Sequence, residues 1–90
     1  GHLNQLEFKV YGNCEMCKTR IENLALSLDG VENAEWGLES KMLQLSIRPE
    51  LISVEKIHRE IAAVGHDTEL ERAPDEAYNE LHECCKYKRK

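Results

Sequence analysis

The chain predicts an α+β sandwich, and three observations carry that prediction. Apolar residues alternate with polar ones over 6–11, 31–38 and 43–47, the period of half-buried strands. Over 21–28 and 54–64 they recur at intervals of three and four, the period of helices with one buried face. Ninety residues, 41% of them apolar, supply one modest core, so these elements must pack together as a single small domain.

In the first strand Leu6, Phe8 and Val10 share one side while Glu7 and Lys9 take the other, and Gly12-Asn13 ends it. Helical spacing begins at Met16 or Cys17 and continues through Ile21, Leu24, Ala25 and Leu28. Asp29-Gly30 stops that helix, since glycine accepts the left-handed backbone at a helix end. A second strand puts Ala34, Trp36 and Leu38 on one face, with Trp36 expected in the core. The polar turn Glu39-Ser40-Lys41 leads into Leu43, Leu45 and Ile47, so the two strands form a hairpin that Pro49 closes. Ser53 has the chemistry of a helix N-cap, and Val54, Ile57, Ile61 and Val64 form the buried stripe of a second helix ended by Gly65. His58 is expected on the exposed side of that helix. Residues 66–72, with Thr68 and Leu70, are expected to form a short last strand.

Strand, helix, strand, strand, helix, strand is the ferredoxin-like βαββαβ order, a four-stranded antiparallel sheet with two helices on one face. Pro74-Asp75-Glu76 then starts a short C-terminal helix with Ala77, Leu81 and Cys84 at i, i+4 and i+7. The chain divides into a start at 1–4, where Gly1-His2 reads as a tag remnant, a domain at 5–72 and a helical tail at 73–90. No leader and no apolar run approaching the ~20 residues of a membrane span are visible. The setting expected is a bacterial periplasm with the leader removed, with the cytoplasm as the alternative.

The chemistry concentrates in Cys14-Glu15-Met16-Cys17. Two cysteines three positions apart, between a strand end and a first helical turn, turn both sulfurs toward one point, where a metal ion or a disulfide can form. The helix N-terminus and Lys18 favour anionic sulfur there, and Glu15 opposes it. The other cysteines are Cys84 and Cys85. Bridges within either pair would close tiny loops and stabilise little, so clustered pairs point to metal or redox work instead. The topology brings Gly65-His66 to the same end as Cys14 and Cys17. A last strand of roughly 20 Å followed by a returning helix of roughly 15 Å would let Cys84-Cys85 come back to that end as well.

The candidate metal ligands are therefore Cys14, Cys17, Cys84, Cys85, His66 and His82. Soft thiolates select Cu(I), Zn(II) or Hg(II), and a two-sulfur site suits Cu(I) best, while added tail thiolates would favour Zn(II) or a bridged Cu(I) cluster. Set against these readings, Cys14 and Cys17 would be a thiol or disulfide pair with no cargo, His66 a loop histidine, and Cys84-Cys85 incidental thiols in a tail. A thioredoxin-like redox role also starts from Cys-x-x-Cys, but neither Pro49 nor Pro74 sits where that fold places its cis-proline. A third reading is a metal-responsive interaction module in which the ion closes the tail onto the domain. A net charge of −5 opposes nucleic acid and membrane surfaces as partners, and Lys86 to Lys90 read as a solvated basic end. No nucleophile and base pair, phosphate loop or paired catalytic carboxylates stand out, so the chain does not read as an enzyme.

Tyr11-Gly12-Asn13-Cys14-Glu15-Met16-Cys17, with this element order, resembles the heavy-metal-associated domain of copper chaperones, mercury-binding proteins and metal-pumping ATPases. The resemblance covers about residues 5–72. The family pattern is Gly-Met-x-Cys-x-x-Cys, and this chain has Tyr11 and Gly12 where the family has Gly and a Met that packs under the loop. Gly65-His66 matches the position where some bacterial copper chaperones carry Gly-His. The resemblance implies a metallochaperone or metal-sequestering domain that hands its ion by thiolate exchange to a metal-transporting ATPase or another acceptor. The tail with His82, Cys84 and Cys85 lies outside the family core.

Overall fold

The computed structural model describes residues 3–81 and 86–87. Three strands, β1 (Asn4–Lys9), β2 (Val31–Trp36) and β3 (Met42–Ile47), and three helices, α1 (Glu15–Ser27), α2 (Val54–Ala63) and α3 (Asp75–Asn79), follow the expected order. The sheet runs β1-β3-β2 and both pairings are antiparallel, with Phe8 opposite Leu43, Leu6 opposite Leu45 and Trp36 opposite Leu43. That register places Phe8, Leu43, Leu45, Ile47 and Trp36 on the face that Ile21, Ala25, Ile57 and Ile61 of the helices cover. The other face is polar and self-bonded: Gln44 Nε2 donates to Glu7 (2.8 Å) and Ser46 Oγ donates to Gln5 (3.0 Å).

The caps follow local chemistry. Ser53 Oγ accepts the Lys56 amide at 3.2 Å, as its position predicts. Gly30 and Gly65 take positive φ, 100° and 108°, where the chain leaves α1 and α2.

The fourth strand is the main departure, because among the described residues its place is taken by a single bridge between Val10 and Thr68. Pairing with β1 begins, as Tyr11 N–H donates to Asp67 O (2.8 Å) and Glu69 N–H to Lys9 O (3.1 Å). It stops because Thr68 Oγ1 captures the amides of Leu70 (3.2 Å) and Glu71 (3.0 Å) and the Thr68 amide donates to Glu71 O (2.7 Å). A side chain that satisfies nearby amides in a turn leaves none for a ladder. Asp67 Oδ1 then accepts the Ala73 amide at 2.6 Å and aims the chain into α3.

The same turn corrects the expectation for His58. The side chain is buried rather than exposed, its ring 3.9 Å from that of Phe8 and its Nδ1 2.5 Å from Thr68 Oγ1. With both amides on the hydroxyl oxygen, the hydroxyl proton is the one left for Nδ1. Burial pushes the His58 pKa below its usual value, against the opposing field of Glu69, Glu71 and Glu55. A lowered folded pKa means stability is fully present above about pH 6.5 and is lost as acid forces a proton onto the buried ring. Chemical denaturation of the metal-free protein should show unfolding free energy falling below about pH 6.5, with a shallower fall in His58→Gln. Equal slopes in the two proteins would contradict this origin.

Candidate metal centre

Cys14 is the N-cap residue of α1, in extended backbone (φ −144°, ψ 178°), and its carbonyl accepts the Lys18 amide at 3.1 Å. The helix thus begins one to two residues earlier than its apolar spacing suggests and includes Cys17 in the first turn. Cys17 is fully buried, Cys14 half-buried, and their sulfurs stand 3.8 Å apart. A disulfide needs about 2.05 Å, so these two sulfurs are not bridged to each other. Met16 between them is exposed.

Trp36 lies under this loop. It is 1% exposed, and its indole Nε1–H donates to Val10 O at 3.0 Å, at the point where β1 gives way to the loop. A Cβ at Gly12 would stand 3.0 Å from Cη2 and Cζ2 of Trp36 and 3.2 Å from Cys17 Cβ. The position is glycine because the indole edge already occupies the space beneath it. The Trp36 backbone is tied to α1 from the other side: its amide donates to Glu22 Oε2 (2.8 Å), and Lys18 Nζ donates to its carbonyl (3.3 Å) while pairing with Glu22. Glu22 therefore holds the Lys18 charge that the sequence assigned to the thiols, and raises the Lys18 pKa.

His66 sits at the entrance to the loop. Its Nδ1 is 2.9 Å from Tyr11 O, and because a carbonyl oxygen only accepts, the proton is on Nδ1 and Nε2 carries the lone pair. The ring is fully buried, and Nε2 has no hydrogen-bond partner among the described residues. Burial, reinforced by the Arg20 charge, pushes its pKa down to about 4, so the imidazole is neutral at physiological pH. Arg20, one helical turn past Cys17, likewise has a buried Nη1 without a partner among the described residues.

The C-terminal segment closes on the same turn. Tyr87 is buried, its hydroxyl donating to Gly65 O (2.8 Å) and accepting from the Asp67 amide (2.7 Å), and its ring stacks on His66 at 5.7 Å between centroids. Leu81 is also buried, its Cδ2 3.0 Å from where a Cβ of Gly65 would lie. His82, Cys84 and Cys85 lie outside the described residues, but both flanks of their segment, Leu81 and Tyr87, rest against Gly65–Asp67. The chain reaches Leu81 through a tight turn and a five-residue α3, not along a long last strand. Among the described residues no three His, Cys, Asp or Glu side chains stand close enough together to hold an ion. The structure brings Cys14 and Cys17 together, and sets His66 beside the loop entrance.

No family model matches the chain. A stretch of 70 residues, 77% of the chain, is 31% identical to copper-transporting ATPase 1 of Mus musculus, and the chain spans 5% of the length of that protein. The structure of the CopZ metallochaperone superposes with a TM-score of 0.70 at 26% identity, covering 72% of this chain and 98% of that one. The chain is similar in sequence and fold to heavy-metal-associated domains. The N-terminal domain of the zinc(II) ATPase ZiaA is similar as well, with a TM-score of 0.64 at 30% identity over 73% of this chain and 63% of that one.

Within this domain, sequence reasoning found the thiol pair but missed two supports. Trp36 was assigned to the core without its place under the loop, and only the glycine at 12 hints at a large neighbour. Tyr87 was read as part of a solvated basic end, although an aromatic residue inside a run of Lys and Arg is the signal that one side chain there is buried. If Gly12 and Trp36 share one space, Gly12→Ala should cost about 1–3 kcal/mol of overpacking, and much of that cost should vanish in a Trp36→Phe background. Urea denaturation of the four metal-free proteins closes the cycle. Simple additivity of the two costs would show that the contact does not matter.

Proposed function

We propose that this domain binds a soft metal ion, Cu(I), through Cys14 and Cys17 and passes it on by thiolate exchange to a metal-transporting ATPase or similar acceptor. The observation that carries the reading is the pair of thiols 3.8 Å apart, one buried and one half-buried, on a loop fixed from beneath by Trp36. Soft sulfur ligands select soft ions, and Cys14, the more accessible thiol, is the one an incoming thiolate displaces first while Cys17 retains the ion. The copper-transporting ATPase and the metallochaperone among the similar proteins support this class of cargo. A net charge of −5 suits docking to a basic acceptor, with transfer slowing as salt is added.

The sulfur spacing also bears on ligand number. With bonds of about 2.3 Å, sulfurs 3.8 Å apart subtend about 110° at a shared ion, whereas a collinear arrangement would need about 4.6 Å. As placed, the pair suits a bent site completed by further ligands. Among the described residues no third ligand stands in place, so the proposed sources are His82, Cys84 and Cys85, on a segment flanked by two docked residues, and His66, whose unpartnered lone pair would reach the ion by a shift of the loop. Zn(II) is the second reading, favoured by the same near-tetrahedral angle and by similarity to a zinc(II) ATPase domain.

Anaerobic titration of the reduced full chain with Cu(I), and separately with Zn(II), against competing chelators tests both points. Tight Cu(I) binding is expected, abolished in Cys14→Ser/Cys17→Ser and weakened roughly tenfold or more in Cys84→Ser/Cys85→Ser. Retention of Cu(I) by the loop variant would sink the site. Unchanged affinity and stoichiometry in the tail variant would make this a two-thiolate carrier, and tighter binding of Zn(II) than of Cu(I) would replace the cargo.

A further inference from the structure

We propose that Tyr87 is a positioning residue for the metal site: it latches the C-terminal segment onto the Gly65–Asp67 turn and holds His66 as the Nδ1–H tautomer, with Nε2 kept as the lone-pair nitrogen. The inference rests on the metal-binding reading above and concerns how that site is held.

The Tyr87 hydroxyl spans the turn, donating to Gly65 O at 2.8 Å and accepting from the Asp67 amide at 2.7 Å, so it ties together the two residues that flank His66. Its ring lies nearly parallel to the imidazole (24°, 5.7 Å), restricting rotation of that ring. Tyr87 is itself held: Tyr78 meets it edge-on at 5.0 Å, and the Tyr78 hydroxyl donates to Tyr87 O at 2.6 Å. Ala77 O and Leu81 Cδ2 lie 2.9 and 3.0 Å from where a Cβ of Gly65 would be, so a residue with a side chain at Gly65 would push α3 and Leu81 away. The turn is held by Ala77, Leu81 and Tyr87, all after position 73.

Its inner side is fastened to the thiol loop. His66 Nδ1–H donates to Tyr11 O (2.9 Å), and the Tyr11 amide donates to Asp67 O (2.8 Å), three residues before Cys14. Contacts therefore run without a gap from Tyr87 through His66 to the strand end that delivers Cys14. If the ring were released, the imidazole could turn, lose the Tyr11 bond and exchange tautomers, and a histidine ligand works only when its other nitrogen is held.

The test uses the full chain carrying Tyr87→Phe, which removes the hydroxyl and keeps the ring, and Tyr87→Ala, which removes both. An Ile57→Val variant serves as a control for a general loss of stability. Long-range ¹H–¹⁵N spectra of the metal-free proteins report the His66 tautomer, and competition with a Cu(I) chelator reports ion release. The wild type and Ile57→Val should show only the Nδ1–H form. Tyr87→Phe should begin to mix tautomers, and Tyr87→Ala should mix them further and release Cu(I) roughly tenfold faster. An unchanged tautomer in both Tyr87 variants overturns the latch. A changed tautomer with unchanged release overturns its role at the metal site, as does an equal effect of Ile57→Val. Should Tyr87→Ala unfold, Tyr87→Phe decides alone by the same two readouts. A wild type that binds no Cu(I) would refute the proposed cargo, while the metal-free spectra would still judge the latch.

Discussion

Everything at the functional end of this domain depends on where the Trp36 indole lies. A ring this large can be buried only if its one polar group is satisfied, and the Nε1–H bond to Val10 O does that one residue past the end of the first strand. The ring edge then fills the space under Gly12, which brings the backbone leading to Cys14 down onto the core. Glu22 and Lys18 fasten the Trp36 backbone to the helix that carries Cys17. One side chain thus fixes the strand end, the loop and the helix start relative to one another, and the distance between the two sulfurs follows from all three.

The parts of the fold that were legible in the sequence are those whose neighbours repeat. Alternation in 43–47 and helical spacing in 54–64 each report one buried face, and β3 and α2 form there. What could not be read is set by single contacts between segments distant in sequence. Residues 66–72 carry strand formers, but whether Thr68 spends its hydroxyl on a turn depends on His58 and Phe8 beneath it. His58 has a polar character that predicts exposure, yet it falls beside Ile57 on a helix face that β1 covers. The Cys14 and Cys17 pair was legible because three-residue spacing at a helix start needs no tertiary information. The meaning of Gly12 was not, since it depends on a residue 24 positions away.

Under the proposed function, the residues after position 73 change what the domain can do. A thiol pair on a loop is open to exchange on one side, which suits a carrier whose ion must leave as readily as it arrives. Here Leu81 and Tyr87, outside the shared core, pack on the turn beside that loop. Two buried nitrogens, His66 Nε2 and Arg20 Nη1, are left without partners among the described residues at this end of the molecule. Buried polar atoms without partners cost about 1–3 kcal/mol each, and such a cost is retained where a ligand or a charge is later to be met. A lone pair suits a soft cation, and a guanidinium offsets the negative charge that paired thiolates bring. Under the proposed function, a coordinated ion would meet both.

X-ray absorption at the copper edge of the anaerobically loaded full chain tests the central claim most directly, because it counts the atoms bound to the ion without reference to affinity. The account predicts a first shell with at least two sulfurs, joined by a further sulfur or an imidazole nitrogen. A shell of oxygen and nitrogen alone, with Cys14 and Cys17 still open to alkylation in the loaded protein, would contradict it.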